Sequence, residues 1–173
     1  MTMKKILLIF VVFLAGQFTF AQKYVFVDSE YILKNIPAYE AANEQLNQLS
    51  ATWQKEIEKL YNEVSELYKA YQTENVFLSN EMKKKREEEI VAKEKKAKSL
   101  QQNYFGPQGE LFKKRESLIK PIQDEIFNAI SEIAGEKNYA AVFDKSSGIG
   151  VLYSDPKYDI SDMVLERMGI KKQ

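Results

Sequence analysis

The chain has 173 residues with 25 basic and 25 acidic side chains, and it contains neither cysteine nor histidine. Without cysteine there are no disulfides and no thiol chemistry, and without histidine the commonest general base and metal ligand is missing. The even charge balance argues against a nucleic-acid-binding protein, since such proteins normally carry a clear basic excess.

Residues 1–21 have the pattern of a cleaved secretory signal peptide. Lys4 and Lys5 precede an apolar run over residues 6–15, and Thr19 and Ala21 place small side chains at positions −3 and −1 of a cleavage site. The run is too short to span a bilayer, which needs about 20 apolar residues. We therefore expect an exported mature chain that begins near residue 22, with 23 basic and 25 acidic residues.

The mature chain opens with a predicted strand and a short helix. Residues 23–28 (KYVFVD) are rich in aromatic and β-branched side chains, which is typical of a short buried strand. Ser29 is the expected N-cap of a helix over residues 30–35. Pro37 forces the preceding residue out of helical geometry and can open the next element.

Residues 38–76 predict one long helix, because they contain neither proline nor glycine and their apolar residues recur at steps of three and four. This spacing is typical of a coiled-coil seam, formed here by Leu46, Leu49, Trp53, Ile57, Leu60, Val64, Leu67 and Tyr71. At 1.5 Å per residue the helix would be roughly 55–60 Å long. It is therefore expected to protrude from a small domain.

A bend is expected at residues 77–79, where Ser79 can cap a second helix that runs to about Phe105. The seam of this helix is weak, since Arg86 and Lys93 occupy seam positions. Residues 38–76 hold seven Glu against three Lys, whereas residues 80–105 hold eight basic residues against five Glu. The opposite charges favour an antiparallel hairpin, although each exposed pair contributes only ~0–1 kcal/mol.

The basic run at residues 83–86 suggests, by itself, a nucleic-acid or nuclear-targeting motif. An exported chain with an acidic partner helix gives these charges another role. We therefore interpret the run as the returning arm of the hairpin and expect no nucleic-acid partner.

Gly106 and Pro107 are expected to break the second helix before a third one begins. The third helix has a stronger apolar stripe and ends near Asn138, a residue that tolerates the left-handed conformation. Pro121 lies inside it and predicts a kink. The stripe consists of Phe112, Ile119, Ile122, Ile126, Ile130 and Ile133.

Two more strands are predicted near the end of the chain, at residues 139–144 and 149–154, joined by a turn at 145–148. Asp159 or Ser161 caps a last short helix over residues 162–168, which Gly169 stops.

The predicted fold is α+β and mostly helical. It consists of a signal peptide (1–21), the first part of a small β base (22–37), a long antiparallel coiled-coil hairpin (38–105), a return helix (106–138), and the second part of the base with a terminal helix (139–173).

This order of elements resembles the Skp/OmpH family of periplasmic chaperones over essentially the whole mature chain. The resemblance rests on the strand that ends in Asp28, the long charged hairpin, and the tail AAVFDKSSGIGVLYSDPKYDISDMVL. In the family's pattern a strand ends in Asp, the next strand ends near a Tyr, and Asp-Ile/Leu-Ser/Thr opens the last helix; the matching residues here are Asp144, Tyr153 and Asp159-Ile160-Ser161.

The resemblance implies a jellyfish-like homotrimer in the periplasm. The strands of three subunits form a central barrel, and three hairpins hang as tentacles around a cavity that holds unfolded outer-membrane β-barrel proteins without ATP or any cofactor. The best-known members are strongly basic, whereas this mature chain is slightly acidic. Long-range electrostatic capture of clients is therefore expected to be confined to the basic arm.

Two sets of residues are candidates for these roles. Open sheet edges favour pairing with other copies, and amphipathic rings on the hairpin suit weak contacts with an unfolded chain. The trimer-base candidates are Tyr24, Phe26, Val142, Phe143, Val151 and Tyr153. The client-contact candidates are Tyr61, Tyr68, Tyr71, Phe77, Leu78 and Met82, although these rings can equally well only widen the coiled-coil seam.

Two other interpretations compete with this one, and a third is compatible with it. An enzyme would need carboxylates such as Asp28 and Asp144, which we expect instead to cap the following helix or turn. Glu87 to Glu89 point around a helix and cannot converge on a metal. A non-catalytic coiled-coil adaptor of the cell envelope is the stronger rival, and peripheral binding of the basic arm to anionic lipid or lipopolysaccharide is a third.

Overall fold

A computed structural model describes residues 23–148 and 150–171, so the signal segment predicted at 1–21 lies outside the described residues. Two compact units are formed. Of the described residues, the sheet unit comprises 23–32 together with 128–148 and 150–171, and the helical unit comprises Leu33–Phe127. The elements in chain order are β1 (Lys23–Val27), α1 (Ser29–Lys34), α2 (Pro37–Glu74), a 3₁₀ turn (Asn75–Phe77), α3 (Asn80–Phe105), α4 (Glu110–Lys137), β2 (Tyr139–Asp144), a second 3₁₀ turn (Pro156–Tyr158) and α5 (Ser161–Arg167).

The sheet unit is built around β1. This strand pairs in parallel with β2, with Val25 opposite Val142 and Phe26 opposite Phe143. On its other side the backbone N–H of Ile160 donates to the carbonyl oxygen of Phe26 at 2.9 Å. The core of this unit is apolar, as burial by the hydrophobic effect requires, and contains Val25, Val27, Ile32, Ile133, Ile160, Val164 and Leu165.

The strand predicted at residues 149–154 is wrong for the part that is described. Residues 150–155 have no regular structure, and the side chains of Leu152 and Tyr153 are 100% and 81% exposed. Gly148 and Gly150 adopt left-handed φ values of 73° and 43°, which interrupt the extended path after β2. A strand also needs a ladder partner for its backbone groups, and these residues have none within the described chain.

Two predicted N-caps are displaced by one residue. The N-cap predicted at Ser29 is wrong by one residue, because the N–H of Tyr31 donates to Asp28 Oδ1 at 2.9 Å and α1 already begins at Ser29. The N-cap predicted at Asp159 or Ser161 is Ile160, which makes no side-chain cap bond, although Asp159 Oδ1 accepts from the N–H of Ser161, the first residue of α5, at 2.9 Å. Asp28 is the N-cap of α1 because its short carboxylate reaches the free N–H groups of the first turn.

The stops predicted for two helices are confirmed. Asn138 follows α4 with a φ of 53°, and Gly169 follows α5 with a φ of 74°. Both residue types tolerate this left-handed conformation, which ends a helix by turning the chain.

The helical unit contains the two long helices. Pro37 opens α2, and Ile36 before it is extended, with φ −94° and ψ 111°, as the pre-proline restriction requires. The cap predicted at Ser79 is confirmed, since its Oγ accepts from the N–H of Met82 at 3.3 Å and α3 begins at Asn80. Among the helices that the structure describes, none has the length and hydropathy needed to cross a membrane.

Side-chain pairs show that α2 and α3 run antiparallel; we call them the α2–α3 pair. Lys93 Nζ lies 2.6 Å from Glu63 Oε2, and Tyr104 OH donates to Glu56 Oε2 at 3.0 Å. Higher residue numbers on α3 therefore meet lower ones on α2. The charged seam residue Lys93 thus finds an acidic partner on the opposite helix.

The junction between α3 and α4 requires glycine at two positions. A Cβ on Gly106 would lie 2.4 Å from the carbonyl oxygen of Gln102, and one on Gly109 would lie 2.7 Å from that of Tyr104. Beside the junction, the ring of Trp53 stacks on Tyr104 with centroids 4.6 Å apart. Pro121 does not interrupt α4, which is helical over its whole range.

Candidate functional site

A groove of about 460 Å³ lies on one face of the α2–α3 pair. We call it the tyrosine groove. Residues on each wall are three or four positions apart, so they share one face of their helix. The α2 wall consists of Tyr61, Val64, Ser65, Tyr68 and Tyr71, and the α3 wall consists of Glu87, Ile90, Val91 and Glu94.

Hydrogen bonds fix two of the three rings. Tyr71 OH donates to Glu87 across the groove, and Tyr61 OH donates to Gln101 Oε1 at 3.3 Å. The bond to Glu87, assisted by partial burial, raises the pKa of Tyr71, so this phenol stays protonated and serves as a donor at neutral pH.

The surface of the tyrosine groove is amphipathic. Ile90 is buried, whereas Tyr68 and Val91 are 53% and 61% exposed. Glu94 lies 2.7 Å from Lys98 Nζ, and this hydrogen bond raises the pKa of Lys98. The groove therefore presents rings and aliphatic groups between carboxylates.

A second apolar surface lies at the bend between α2 and α3. Phe77 is 87% exposed, and Val76 and Met82 are also exposed, while Leu78 is half-buried. We call these four residues the apolar bend. The six residues predicted to contact clients therefore divide into two places: Tyr61, Tyr68 and Tyr71 line the groove, and Phe77, Leu78 and Met82 lie at the bend.

The groove has members that sequence reasoning did not single out as a surface. Val64 was expected only in the seam, and Glu87, Ile90, Val91 and Glu94 on α3 were not connected with the tyrosines. The available signal was their spacing of 3 and 4 along α3. That spacing alone does not give the rotation of α3 that turns these residues toward the rings.

In the sheet unit, Asp28 and Asp144, the carboxylates that an enzyme would need, accept hydrogen bonds from the backbone. Asp28 caps α1 as described, and Asp144 Oδ1 accepts from the N–H of Ser146 at 3.0 Å, which closes the turn after β2. Asp144 Oδ2 also accepts from Ser29 Oγ at 2.7 Å. Partial burial opposes these bonds, but they outweigh it and lower the pKa of Asp144. The predicted capping roles are confirmed.

A lysine links two of the carboxylates in the sheet unit. Lys145 Nζ lies 2.7 Å from Asp159 Oδ2 and 3.6 Å from Asp28 Oδ2. The hydrogen bond to Asp159 raises the pKa of Lys145. Within residues 23–148 and 150–171, no three acidic side chains converge in a way that suits a metal ion.

The residues predicted for a trimer base are found in three settings. Tyr24, Phe26 and Phe143 are neighbours on one side of the two-stranded sheet, with ring centroids 6.2 Å apart for Tyr24–Phe143 and 5.9 Å for Phe26–Phe143. Val142 pairs with Val25, which is buried in the core. Val151 and Tyr153 lie in the irregular segment after β2.

Comparison with known proteins agrees with this architecture. Residues 23–168 match the family model described as "Outer membrane protein (OmpH-like)". The chain therefore belongs to the OmpH-like family, and the resemblance inferred from the sequence is confirmed.

A solved structure has a similar fold. It is a protein of Caulobacter crescentus CB15 assigned to the OmpH-like outer membrane chaperones, with a TM-score of 0.68, 14% sequence identity, and 88% of each chain covered. At this identity the match concerns the fold alone. A comparison with curated proteins gives no match.

Proposed function

We propose that this protein is an ATP-independent periplasmic holdase chaperone that binds unfolded outer-membrane β-barrel proteins and prevents their aggregation in transit. The observation that carries the proposal is the exposed apolar and aromatic surface of the α2–α3 pair, in the tyrosine groove and at the apolar bend. Membership of the OmpH-like family and the chaperone assignment of the Caulobacter protein support it.

Binding of this kind needs no chemical step. Tyrosine rings offer an apolar body and a polar edge at a low cost in conformational entropy, so they make many weak contacts with unrelated sequences. Three tyrosines in the groove and Phe77 at the bend provide such contacts along the α2–α3 pair. The sum of weak contacts holds a client and still releases it without ATP.

The holding form in this proposal is a homotrimer. A two-stranded sheet alone is marginal, and open edges invite further strands. The exposed rings of Tyr24 and Phe143, and the unpaired segment around Tyr153, supply apolar surface for such pairing. Three sheet units form the central barrel, and three coiled-coil hairpins surround the client as tentacles. Sedimentation equilibrium of the mature protein is expected to give a trimer.

A peripheral contact with anionic lipid or lipopolysaccharide belongs to the same proposal. The basic residues at 83–86 follow directly after the apolar bend, and the combination of apolar and basic groups suits a membrane surface. Such a contact places the chaperone near the site where its clients insert.

The test is light scattering of a urea-unfolded outer-membrane β-barrel protein diluted into buffer. The mature protein is expected to suppress the rise in scattering, and the same mass of a soluble protein without chaperone activity is the control. An envelope adaptor built from the same helices would leave the aggregation unchanged. That result would eliminate the chaperone proposal.

A further inference from the structure

The tyrosine groove is lined by groups that attract cations. Glu87 and Glu94 contribute two carboxylates, and among the described residues that line the groove there is no lysine or arginine. The faces of tyrosine rings carry negative electrostatic potential and attract guanidinium and ammonium groups. Two different features of the same surface thus favour positive charge.

Both carboxylates are accessible to an incoming cation. Glu87 accepts from a neutral donor, the Tyr71 hydroxyl, so this contact brings no positive charge to its carboxylate. Glu94 pairs with Lys98, whose side chain is 65% exposed. An exposed lysine pair of this type is weak, and a guanidinium can displace it because it binds a carboxylate through two parallel hydrogen bonds.

The length of the groove suits a short stretch of extended chain. Tyr61 and Tyr71 lie ten residues apart on α2, which corresponds to roughly 15 Å along the helix. An extended chain rises about 3.3 Å per residue, so four or five residues cover this distance. Val64, Tyr68 and Val91 lie between the ends and offer contact to bulky apolar side chains.

We propose that the tyrosine groove binds extended, unfolded segments in which arginine or lysine lies next to bulky apolar residues, and that it discriminates against segments with aspartate or glutamate in the same places. This inference rests on the proposed chaperone function and names the class of client segment that the groove selects. Arginine is preferred to lysine, because its planar group stacks on a tyrosine ring while it binds a carboxylate.

Fluorescence anisotropy with short labelled peptides tests the inference. Four peptides share one length and the same leucine and valine positions, and the positions between them hold arginine, lysine, serine or glutamate. At fixed ionic strength the arginine peptide is expected to bind about tenfold more tightly than the glutamate peptide. Equal affinities for the two peptides would overturn the inference.

The double variant Glu87→Gln with Glu94→Gln locates the effect. It keeps side-chain size and a hydrogen-bond acceptor for Tyr71, and it is expected to weaken binding of the arginine peptide about fivefold and remove most of the discrimination. The matched control is Glu66→Gln, on a different surface of α2 beside Lys59 and Glu63, and it is expected to bind like the wild type. Equal behaviour of the double variant and the control would contradict the proposed site.

A second variant covers the case in which the double variant misfolds. Tyr68→Leu keeps an apolar side chain but removes the aromatic face, so it is expected to lower the preference for arginine over lysine while circular dichroism remains unchanged. An unchanged preference would contradict the role of the ring. Aggregation assays distinguish a failure of the proposed chaperone function from a failure of the proposed groove selectivity. If the wild-type protein suppresses aggregation but does not discriminate among the peptides, only the selectivity of the tyrosine groove is refuted.

Discussion

Single residues of the α2–α3 pair show how charge is accommodated between two helices. Lys93 lies at a seam position that an apolar residue would normally fill, and its ammonium group bonds Glu63 at 2.6 Å. This hydrogen bond, followed by the attraction of the positive charge, lowers the pKa of Glu63 below its ordinary value of 4.5. The pair is partly exposed, so its effect on stability is moderate, but its pH dependence has a definite sign.

Glu63→Gln tests that sign. Because folding lowers the pKa of Glu63, its contribution to stability is complete above pH 4.5 and is lost as the pH falls through the lower folded-state value. Melting is followed by circular dichroism. The melting temperature of the wild type is expected to exceed that of Glu63→Gln at neutral pH, and this difference is expected to disappear in acid. A difference in melting temperature that stays constant over this pH range would refute the role of the Glu63–Lys93 pair. The same pH-dependent difference in Glu66→Gln would refute it as well.

The glycines provide a second prediction at this scale. Gly106→Ala places a Cβ 2.4 Å from a backbone oxygen, whereas a Cβ on Gly135, inside α4, meets nothing within 4 Å. The first change is expected to destabilise the protein by about 1–3 kcal/mol, because backbone must move. The second is expected to stabilise it by about 0.5–1 kcal/mol, because glycine is a poor helix former.

Urea unfolding compares the two glycine variants. Circular dichroism reports the helices, and the fluorescence of Trp53, the only tryptophan, reports the junction where its ring stacks on Tyr104. The changes in the free energy of unfolding of the two variants are expected to differ in sign. If Gly106→Ala leaves this free energy unchanged, the α3–α4 junction does not require glycine at this position.

At the scale of elements, the apolar bend combines high exposure with a defined local structure. Ser79 caps α3 there, so the bend is fixed by a hydrogen bond rather than by burial of its apolar residues. Phe77 is largely exposed and contributes little to folding. This combination is expected of a surface retained for binding.

Phe77→Ser separates binding from stability. Since the ring is exposed, the free energy of unfolding is expected to change by less than about 0.5 kcal/mol, while the suppression of client aggregation becomes measurably weaker. Gln72→Ser, at another exposed position near the end of α2, is the matched control and is expected to leave both quantities unchanged. If Phe77→Ser behaves like the control in the aggregation assay, the bend does not contact clients.

The helices were predictable because their signals are local. The apolar period, Pro37, Ser79 and Gly106 fix where α2 and α3 begin and end, and the structure agrees with these boundaries to within a residue or two. The strand expected at 149–154 failed because a strand depends on a partner edge, which local sequence does not specify. The tyrosine groove was predicted only in part, since it depends on how α3 is rotated against α2.

At the scale of the whole molecule, charge is segregated within a nearly neutral chain. The acidic α2 and the basic α3 form ion pairs such as Glu63–Lys93. Carboxylates also line the tyrosine groove. In the proposed holdase function, this charge balance gives little long-range attraction for clients. We expect apolar contact to hold them, with local charge setting the preference.

In the proposed function the α2–α3 pair holds the client, and deletion of residues 55–103 removes most of that pair. Trp53 and Tyr104 stack on each other, so a short glycine-serine linker can close the gap beside them. The measurement is light scattering of a urea-unfolded β-barrel client in the presence of this deletion variant or the full mature protein, after sedimentation has confirmed that both are folded trimers. We expect suppression by the full protein and none by the trimeric deletion variant. Equal suppression by the two proteins would contradict this expectation.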